Sequence, residues 1–175
     1  EYSISLAKAN RALRILDIGT GSGNIAVAIW RELRDRFMVG SDLSRAALAV
    51  ARRNAEAHAP GVSLVQTDLL AGFGDGAFDL IVSNPPYVST EAALPREVAA
   101  FEPAEALFAA DEGLAAYRRL ASEAPRALSK GGCCVVELGD GMAGDVERTF
   151  TERGWLTLGF RDDLSGMPRA AAFGL

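Results

Sequence analysis

Apolar and β-branched positions along the chain fall into short runs, and longer stretches with a helical period separate these runs. Each run is about five to seven residues long, which suits a strand. We predict seven strands, at residues 14–18, 37–41, 62–66, 78–83, 132–138, 155–161 and 169–174. We predict helices at 1–10, 24–34, 44–58, 113–128 and 143–153, the third with Ser44 as its N-cap. This alternation is typical of βαβ units and predicts an α/β fold with a mostly parallel sheet.

The alternation stops after the fourth predicted strand. Residues 88–110 contain Pro95, Pro103 and several acidic side chains, and they follow neither the helical nor the strand period. Irregular segments of this length inside a compact domain are usually functional or partly structured. We interpret 88–110 as a substrate-facing insertion in a single domain that covers residues 1–175.

Composition narrows the class of protein. The chain is 49% hydrophobic and 23% charged, as soluble globular proteins are, and it has neither an apolar run long enough for a membrane span nor a signal pattern at its beginning. We therefore expect a cytoplasmic monomer that does not bind membranes. The net charge of −5 and the scattered Lys and Arg residues disfavour broad binding of a nucleic-acid backbone, although they leave a local basic surface open.

Cysteine and histidine offer little reactive chemistry. Cys133 and Cys134 are adjacent in an apolar run, so strand geometry points their side chains to opposite faces and predicts buried thiols without a disulfide. His58, the only histidine, falls at a predicted helix end, where we expect an exposed capping residue. Because these three residues lack ligand spacing, the sequence predicts no metal site.

A glycine-rich turn follows the first predicted strand. It has the sequence Gly19-Thr20-Gly21-Ser22-Gly23 and leads directly into a predicted helix. Glycine allows a sharp turn and lets a ligand lie close to bare backbone, as a nucleotide-like cofactor requires. The spacing Gly-x-Gly-x-Gly differs from the Gly-x-Gly-x-x-Gly of dinucleotide sites. Taken alone, the turn fits a dinucleotide, another nucleotide-like cofactor or a purely structural turn.

Acidic residues stand at the ends of three successive predicted strands. These are Asp17, Asp42 and Asp68, and we expect them to meet at the sheet edge where ligands bind in α/β folds. Asp42, followed by Leu43, lies about 20 residues beyond the glycines, where a carboxylate can accept both ribose hydroxyls. Asp68 can accept from an adenine amino group while Leu69 packs on the ring. Capping of the following helix would explain Asp42 or Asp68 singly, but it explains the set poorly.

The fourth predicted strand ends in Asn84-Pro85-Pro86-Tyr87. The two prolines fix φ and remove two backbone donors, so nearby carbonyls are preset as acceptors. The Asn84 side-chain oxygen and the Pro85 carbonyl can each accept one hydrogen of a target NH2 group, while Tyr87 stacks on the planar group behind it. These residues predict methyl transfer to a conjugated NH2, and they leave open whether that group belongs to a nucleobase or to an amide.

These residues resemble those of class I S-adenosylmethionine-dependent methyltransferases, which have a Rossmann-like fold. They are more similar still to the HemK-type protein-(glutamine N5) methyltransferases, which modify peptide chain release factors. The resemblance covers nearly the whole chain and includes residues 16–23, Asp42 and 83–87. Further matches to the HemK-type enzymes are more selective than the clamp, and they favour glutamine as the target. They lie at residues 96–98, 101–103, 106–107, 113–120, 137–139 and 163–169.

The resemblance implies a fold and a set of site residues. It implies a seven-stranded, mostly parallel sheet with helices on both faces and an antiparallel C-terminal strand. By this resemblance, S-adenosyl-L-methionine would contact Gly19 to Gly23, Asp42, Leu69 and Asn84. A release-factor glutamine would be held by Asn84, Pro85, Pro86 and Tyr87. The family also carries an N-terminal helical domain, and we expect this chain to be the catalytic domain alone, with 1–10 as the remainder of a linker.

Two other functions stay open on the sequence. An enzyme with the same clamp could methylate an exocyclic amine of DNA or RNA, or a glutamine of a ribosomal protein. A truncated domain could instead bind the cofactor without turnover. The net negative charge counts against nucleic acid.

Overall fold

A single large sheet with helices on both faces organises the molecule. The computed structural model describes residues 1–86, 88–89, 108–109 and 113–175. The helices are α1 (Tyr2–Ala9), α2 (Asn24–Glu32), α3 (Arg45–His58), α4 (Ala115–Ala127) and α5 (Ala143–Thr151). The strands are β1 (Arg14–Ile18), β2 (Phe37–Asp42), β3 (Val62–Gln66), β4 (Phe78–Ser83), β5 (Val88–Ser89), β6 (Phe108–Ala109), β7 (Leu128–Glu137), β8 (Leu156–Asp162) and β9 (Pro168–Gly174).

Seven strands form the sheet in the order β3-β2-β1-β4-β7-β9-β8. The pairs from β3 to β7 are parallel, and β9 runs antiparallel to both β7 and β8. This topology confirms the predicted α/β class and its antiparallel C-terminal strand. Within the predicted insertion, β5 and β6 form a separate parallel pair of two residues each. The other residues of 88–110 lie outside the described residues.

The core consists of two apolar layers, one on each face of the sheet. Helix α4 contributes Tyr117 and α5 contributes Phe150 to the first layer, where the Phe150 ring stacks on Phe173 with centroids 4.1 Å apart. Helices α1 and α2 cover the opposite face. Cys133 and Cys134 belong to different layers and are buried and free, as predicted. Burying one large apolar side chain stabilises a fold by about 1.5–3 kcal/mol, so these layers fix which sheet face each helix covers.

The predicted start of β7 was wrong. The strand begins at Leu128, directly after α4, and not at residue 132. Phe78 pairs with Leu128 and Leu80 pairs with Cys133, so β7 advances three residues more than β4 between these two pairs. This irregular stretch contains Gly131 at φ 76°. The sequence prediction ended a helix at Leu128 and left 129–131 unassigned, because polar residues and glycine interrupt the apolar pattern of the strand there.

Helix boundaries shifted by one or two residues from their predicted positions, as is common at frayed ends. Helix α2 ends at Glu32 because Leu33 leaves the helical region at φ −132°. Ser44 caps α3, as predicted, and its Oγ accepts a hydrogen bond from the Ala47 backbone at 3.2 Å. His58 is the exposed last residue of α3, which also agrees with the sequence. Among the described helices, none has the length and apolar character needed to cross a membrane.

Candidate functional site

The glycine-rich turn is a tight backbone loop between β1 and α2. Gly19 and Gly23 adopt φ values of 66° and 84°, which side chains disfavour. A Cβ on Gly19 would meet no described atom within 4 Å, whereas a Cβ on Gly23 would lie 3.3 Å from the Cβ of Ala51 in α3. Gly19 therefore leaves open space at the loop surface, and Gly23 allows α3 to pack closely beneath it.

Asp17 lies under this loop and is fully buried. Its Oδ2 accepts hydrogen bonds from Thr20 Oγ1 at 2.6 Å and from the Ala26 backbone N–H at 3.1 Å. Since the N-cap Gly23 has no side chain, Asp17 supplies the acceptor that the first turn of α2 needs. The sequence placed Asp17 at the sheet edge with the other acids, whereas the structure places it inside β1, where it fixes the loop.

Burial changes the acidity of Asp17. Desolvation raises the pKa of this carboxyl to about 7, and the negative charge of Asp42 adds to the rise. The hydrogen bonds from Thr20 and Ala26 oppose it. Its second oxygen, Oδ1, is buried without a hydrogen-bond partner among the described residues. Such an oxygen is well placed to carry a proton near neutral pH.

Asp42 ends β2 and faces the loop. Its Oδ2 accepts from the Gly21 N–H at 2.9 Å, and its Oδ1 accepts from the Ser44 N–H at 2.8 Å. The carboxylate is only half-buried, and the next side chain, Leu43, is 66% exposed. Asp42 therefore fixes the turn before α3, whose N-cap is Ser44 and not Asp42, and it offers an accessible carboxylate beside the glycine loop.

Asp68 forms an ion pair that the sequence did not indicate. Both of its oxygens accept from the Arg119 guanidinium in α4, at 3.0 and 3.2 Å. Each side chain is about half exposed, so the pair contributes less than about 1 kcal/mol to stability. The neighbouring Leu69 has a positive φ of 44°, which is unusual for a side chain of this size, and it packs partly against the core.

The proline clamp begins at the end of β4. The buried Ser83 hydroxyl donates to the Ile18 carbonyl at 2.9 Å and so ties the clamp to the end of β1. Asn84 is exposed, Pro85 is buried and Pro86 is half-buried. Tyr87 lies outside the described residues, so its predicted stacking role stays a prediction.

Strand register brings the remaining predicted residues to one level of the sheet. Ile18 pairs with both Ser41 and Ser83, so Gly19, Asp42 and Asn84 leave the sheet side by side. Neighbouring strands lie about 4.8 Å apart, which puts β2 and β4 about 10 Å from each other. This distance suits a nucleoside-sized ligand that spans the three strand ends.

Glu137 also stands at this level, and the sequence reasoning did not single it out from the residues themselves. Ser83 pairs with Val136, which places Glu137 beside Asn84 on the next strand. Burial raises the pKa of the Glu137 carboxyl, and the charge of Arg169 lowers it. The Tyr117 hydroxyl donates to the Glu137 carbonyl at 2.7 Å. The match at residues 137–139 was the signal that the sequence offered, but placing this acid next to the clamp required the alignment of β4 with β7.

Comparison with known proteins identifies the family of the chain. The methyltransferase small domain family matches residues 4–139. The chain belongs to this family. The family and the fold together confirm the predicted methyltransferase domain.

Curated relatives carry a more specific name. A release factor glutamine methyltransferase of Geobacter sulfurreducens is 42% identical over 167 residues, which are 94% of this chain and 59% of that protein. One from Lactococcus lactis is 38% identical over 144 residues, 81% of this chain and 53% of that protein. The chain thus spans between half and three-fifths of the length of these two relatives. They confirm the resemblance that the motifs indicated.

Solved structures share the fold at low identity. A methyltransferase from Pyrococcus furiosus superposes with a TM-score of 0.70 at 20% identity, covering 99% of this chain and 83% of that one. A ribosomal protein L11 methylase from Lactobacillus delbrueckii gives a TM-score of 0.69 at 22% identity, covering 98% and 74%. These likenesses concern the architecture of the sheet and its helices.

Proposed function

We propose that this chain transfers a methyl group from S-adenosylmethionine to the side-chain amide nitrogen of a glutamine in a peptide chain release factor. The observation that carries the proposal is the common level of Gly19, Asp42 and Asn84 at the carboxyl edge of the sheet. That juxtaposition supports a clamp for an NH2 group beside a site that is large enough for the cofactor. The names of the curated relatives support glutamine as the target.

The residues at this edge fit S-adenosylmethionine. The open space above Gly19 admits a ligand against the backbone, and the accessible Asp42 carboxylate offers an acceptor for ribose hydroxyls. Asp68 can keep Arg119 and still accept from an adenine amino group, because a carboxylate has about four lone-pair sites. The other proposed contacts with the cofactor come from Thr20, Gly21, Ser22, Gly23, Leu43 and Leu69. When bound, S-adenosylmethionine would supply an electrophilic methyl group on a sulfonium. The transfer would leave S-adenosylhomocysteine, and the methylated amide nitrogen would release one proton to water.

The clamp residues orient the nucleophile. A carboxamide nitrogen is a poor nucleophile because its lone pair is delocalised, so positioning has to lower the barrier. The exposed Asn84 Oδ1 and the Pro85 carbonyl each accept one N–H of the target. Pro85 and Pro86 have no N–H of their own, so they offer no competing donors. Accepting both hydrogens directs the nitrogen lone pair and increases its electron density in the transition state. Asp17 acts indirectly, because its hydrogen bonds hold the glycine loop in the shape proposed to bind the cofactor.

The charge of the chain supports a protein substrate. With a net charge of −5, the chain lacks the general attraction for a phosphate backbone that a nucleic-acid methyltransferase uses. We infer that it acts on the release factor as a monomer in the cytoplasm, where translation terminates. Methylation of an exocyclic amine in DNA or RNA would contradict this choice of substrate.

Radiolabelled S-adenosylmethionine tests the reaction directly. We expect the chain to label a release factor, and we expect replacement of the glutamine in the Gly-Gly-Gln motif of that factor to abolish the label. Label that persists in the substituted factor, or that enters DNA or RNA instead, would contradict the proposal. Mass spectrometry of the labelled peptide locates the methyl group.

Asn84→Ala tests the clamp. We expect kcat to fall about 100-fold or more, because an acceptor that acts in the transition state is lost. Affinity for S-adenosylhomocysteine should change only a few-fold, since the glycine loop and Asp42 remain. Asn10→Ala serves as the matched control, because it removes an exposed amide at the amino end of β1 that makes only a weak hydrogen bond to Cys133 Sγ at 3.7 Å. If the two variants turn over equally fast, Asn84 has no part in the chemistry.

A further inference from the structure

The free edge of the sheet borders a channel that the proposed reaction does not use. β3 is the terminal strand, and among the described strands none pairs with its outer side. Two adjoining hollows of about 530 and 390 Å³ lie between β3 and α3, and they share Arg52 and Leu64. We refer to them together as the α3–β3 channel.

The channel has an apolar floor and a basic rim. Leu48, Ala55, Val62 and Leu64 contribute the apolar surface. The rim carries Arg45, Arg52 and Arg53, with Glu56 as the one acidic residue that lines it.

The rim arginines form no ion pair within the part of the chain that the structure describes. Arg45 Nε donates to Gln66 Oε1 at 3.1 Å, a neutral acceptor. No carboxylate of the described residues forms an ion pair with Arg45, Arg52 or Arg53. The rim thus carries three exposed cations and one carboxylate, Glu56, so it has a positive excess in a chain with a net charge of −5.

One end of the channel opens at the level of the clamp. Gln66 pairs with Asp42, and Asp42 stands level with Gly19 and Asn84. Three strand spacings separate β3 from β4, so the end of the channel lies about 14 Å from the clamp across the sheet. Four or five extended residues bridge such a distance.

We propose that the α3–β3 channel binds an acidic, extended segment of the protein substrate, which adds a strand to the free edge of β3. This inference rests on the proposed function, since the segment belongs to the release factor that presents the glutamine. Unpaired backbone groups of β3 bind the main chain, and the apolar floor takes alternate side chains. Asp and Glu carboxylates of the segment form charge-assisted hydrogen bonds with the rim arginines.

A protein segment fits the channel better than RNA or a second copy of the chain. None of the residues that line the hollows is aromatic, so the channel offers no ring on which bases could stack. In a symmetric pair joined through β3, the arginines of the two copies would face each other and repel. An acidic peptide meets both the charge of the rim and the free strand edge.

Charge reversal separates docking from chemistry. In the channel variant, Arg45, Arg52 and Arg53 are replaced by Glu. In the control variant, the exposed Lys8, Arg31 and Lys130 are replaced by Glu, which gives the same change in net charge. For the channel variant we expect KM for an intact release factor to rise at least tenfold with kcat unchanged. We expect kcat/KM for a short Gly-Gly-Gln peptide, and the KM of the control variant, to stay within twofold.

Two other results would overturn the docking proposal. The first is a KM for the intact factor that is unchanged in the channel variant, or raised equally in the control variant. The second is another occupant: an oligouridine that only the channel variant fails to bind, or a wild-type dimer in gel filtration that only the channel variant loses. Either occupant assigns the channel to RNA or to self-association.

Photo-crosslinking distinguishes failure of docking from failure of the proposed function. Benzoylphenylalanine at position 49, where the exposed Ala49 lines the channel, should crosslink to an acidic segment of the release factor in the presence of S-adenosylhomocysteine. Methylation without this crosslink overturns the docking site and leaves the reaction intact. A crosslink to an acidic segment without methylation supports the docking site and contradicts the reaction.

Discussion

At the scale of single residues, Asp17 shows how a buried acid shapes the glycine loop. Its Oδ2 binds Thr20 in the loop and the backbone of Ala26 in α2, so one oxygen connects the turn to the helix that follows it. From the sequence we predicted that Asp17 lies at the sheet edge, and the sequence could not show that its carboxylate points inward. The direction follows from burial, because β1 is a central strand covered on both faces.

Asp17 should make the stability of the fold depend on pH. Its pKa is about 7 in the folded chain and 3.8 as the ordinary value, so the folded state holds this proton more tightly than the unfolded state. The contribution of Asp17 to the free energy of unfolding therefore falls as the pH rises from about 4 to 7, by up to about 1.4 kcal/mol per pH unit. Asp17→Asn has no such titration.

Urea denaturation of both proteins at pH 5 and pH 7.5 measures this effect. We expect wild type to lose stability relative to Asp17→Asn between the two pH values. All other titrating groups are common to both proteins, so the difference isolates Asp17. A constant difference would mean that the Asp17 carboxyl is already charged at pH 5.

Asp68 shows the limit of residue-level prediction. Its place after β3 follows from the strand pattern, but its partner Arg119 lies 51 residues further along the chain. No local pattern signals a contact over that separation. Only the packing of α4 against the sheet brings the two side chains together.

At the scale of secondary-structure elements, Gly23 sets how closely α2 and α3 approach. Alanine at this position would need a positive φ and would bring its Cβ within 3.3 Å of Ala51. We expect Gly23→Ala to lower the free energy of unfolding by about 1–3 kcal/mol and to weaken cofactor binding, because the loop must shift.

Gly144→Ala is the matched control for Gly23→Ala. Gly144 lies in α5, and a Cβ there would meet no described atom within 4 Å. Alanine favours the helix, so we expect this variant to be up to about 1 kcal/mol more stable than wild type. Denaturant unfolding compares the two variants. A Gly23→Ala variant that loses no stability would show that the spacing between α2 and α3 is adaptable.

Asp79 joins the amino ends of three strands, a role that its sequence position did not reveal. Its carboxylate accepts from the backbone N–H of Leu13 at 3.0 Å and of Arg14 at 2.9 Å, from the Arg14 guanidinium, and from Ser129 Oγ at 2.7 Å. Burial alone would raise the pKa of this carboxyl, but these hydrogen bonds outweigh it and hold the pKa well below its usual range.

Asp79→Ala should destabilise the fold by about 2–4 kcal/mol at pH 7, because several donors lose a charged acceptor. A lowered pKa stabilises the folded state above pH 4, and this contribution is lost as the pH falls further. The difference between wild type and Asp79→Ala should therefore shrink below pH 4. Thermal unfolding at pH 7 and pH 3.5 measures it. Equal differences at both values would contradict the ion-paired state.

At the scale of the whole molecule, the sequence predicted which elements form but not how all of them meet. The period of apolar positions, together with the glycines and prolines between the runs, predicted every strand of the large sheet. The start of β7 was predicted wrongly because Ser129 to Gly132 interrupt the strand pattern. The α3–β3 channel was not predicted either, because it depends on how side chains from two elements pack against each other, and no local sequence pattern encodes that packing.

All residues proposed to hold the cofactor lie at or just beyond the carboxyl ends of β1, β2, β3 and β4, so the chain should bind S-adenosylhomocysteine on its own. Binding to the folded state alone raises the free energy of unfolding by about 2.7 kcal/mol at a ligand concentration 100 times Kd. We expect thermal unfolding to show this stabilisation in wild type and to show little of it in Asp42→Ala, which lacks the ribose acceptor. Asp35→Ala changes an exposed acid at the opposite edge of the sheet and should respond as wild type does. Since each variant is compared with itself, with and without ligand, any intrinsic loss of stability cancels. A full response in Asp42→Ala would move the ribose site away from β2, and the level shared by Asp42 and Asn84 would then no longer place the cofactor beside the clamp.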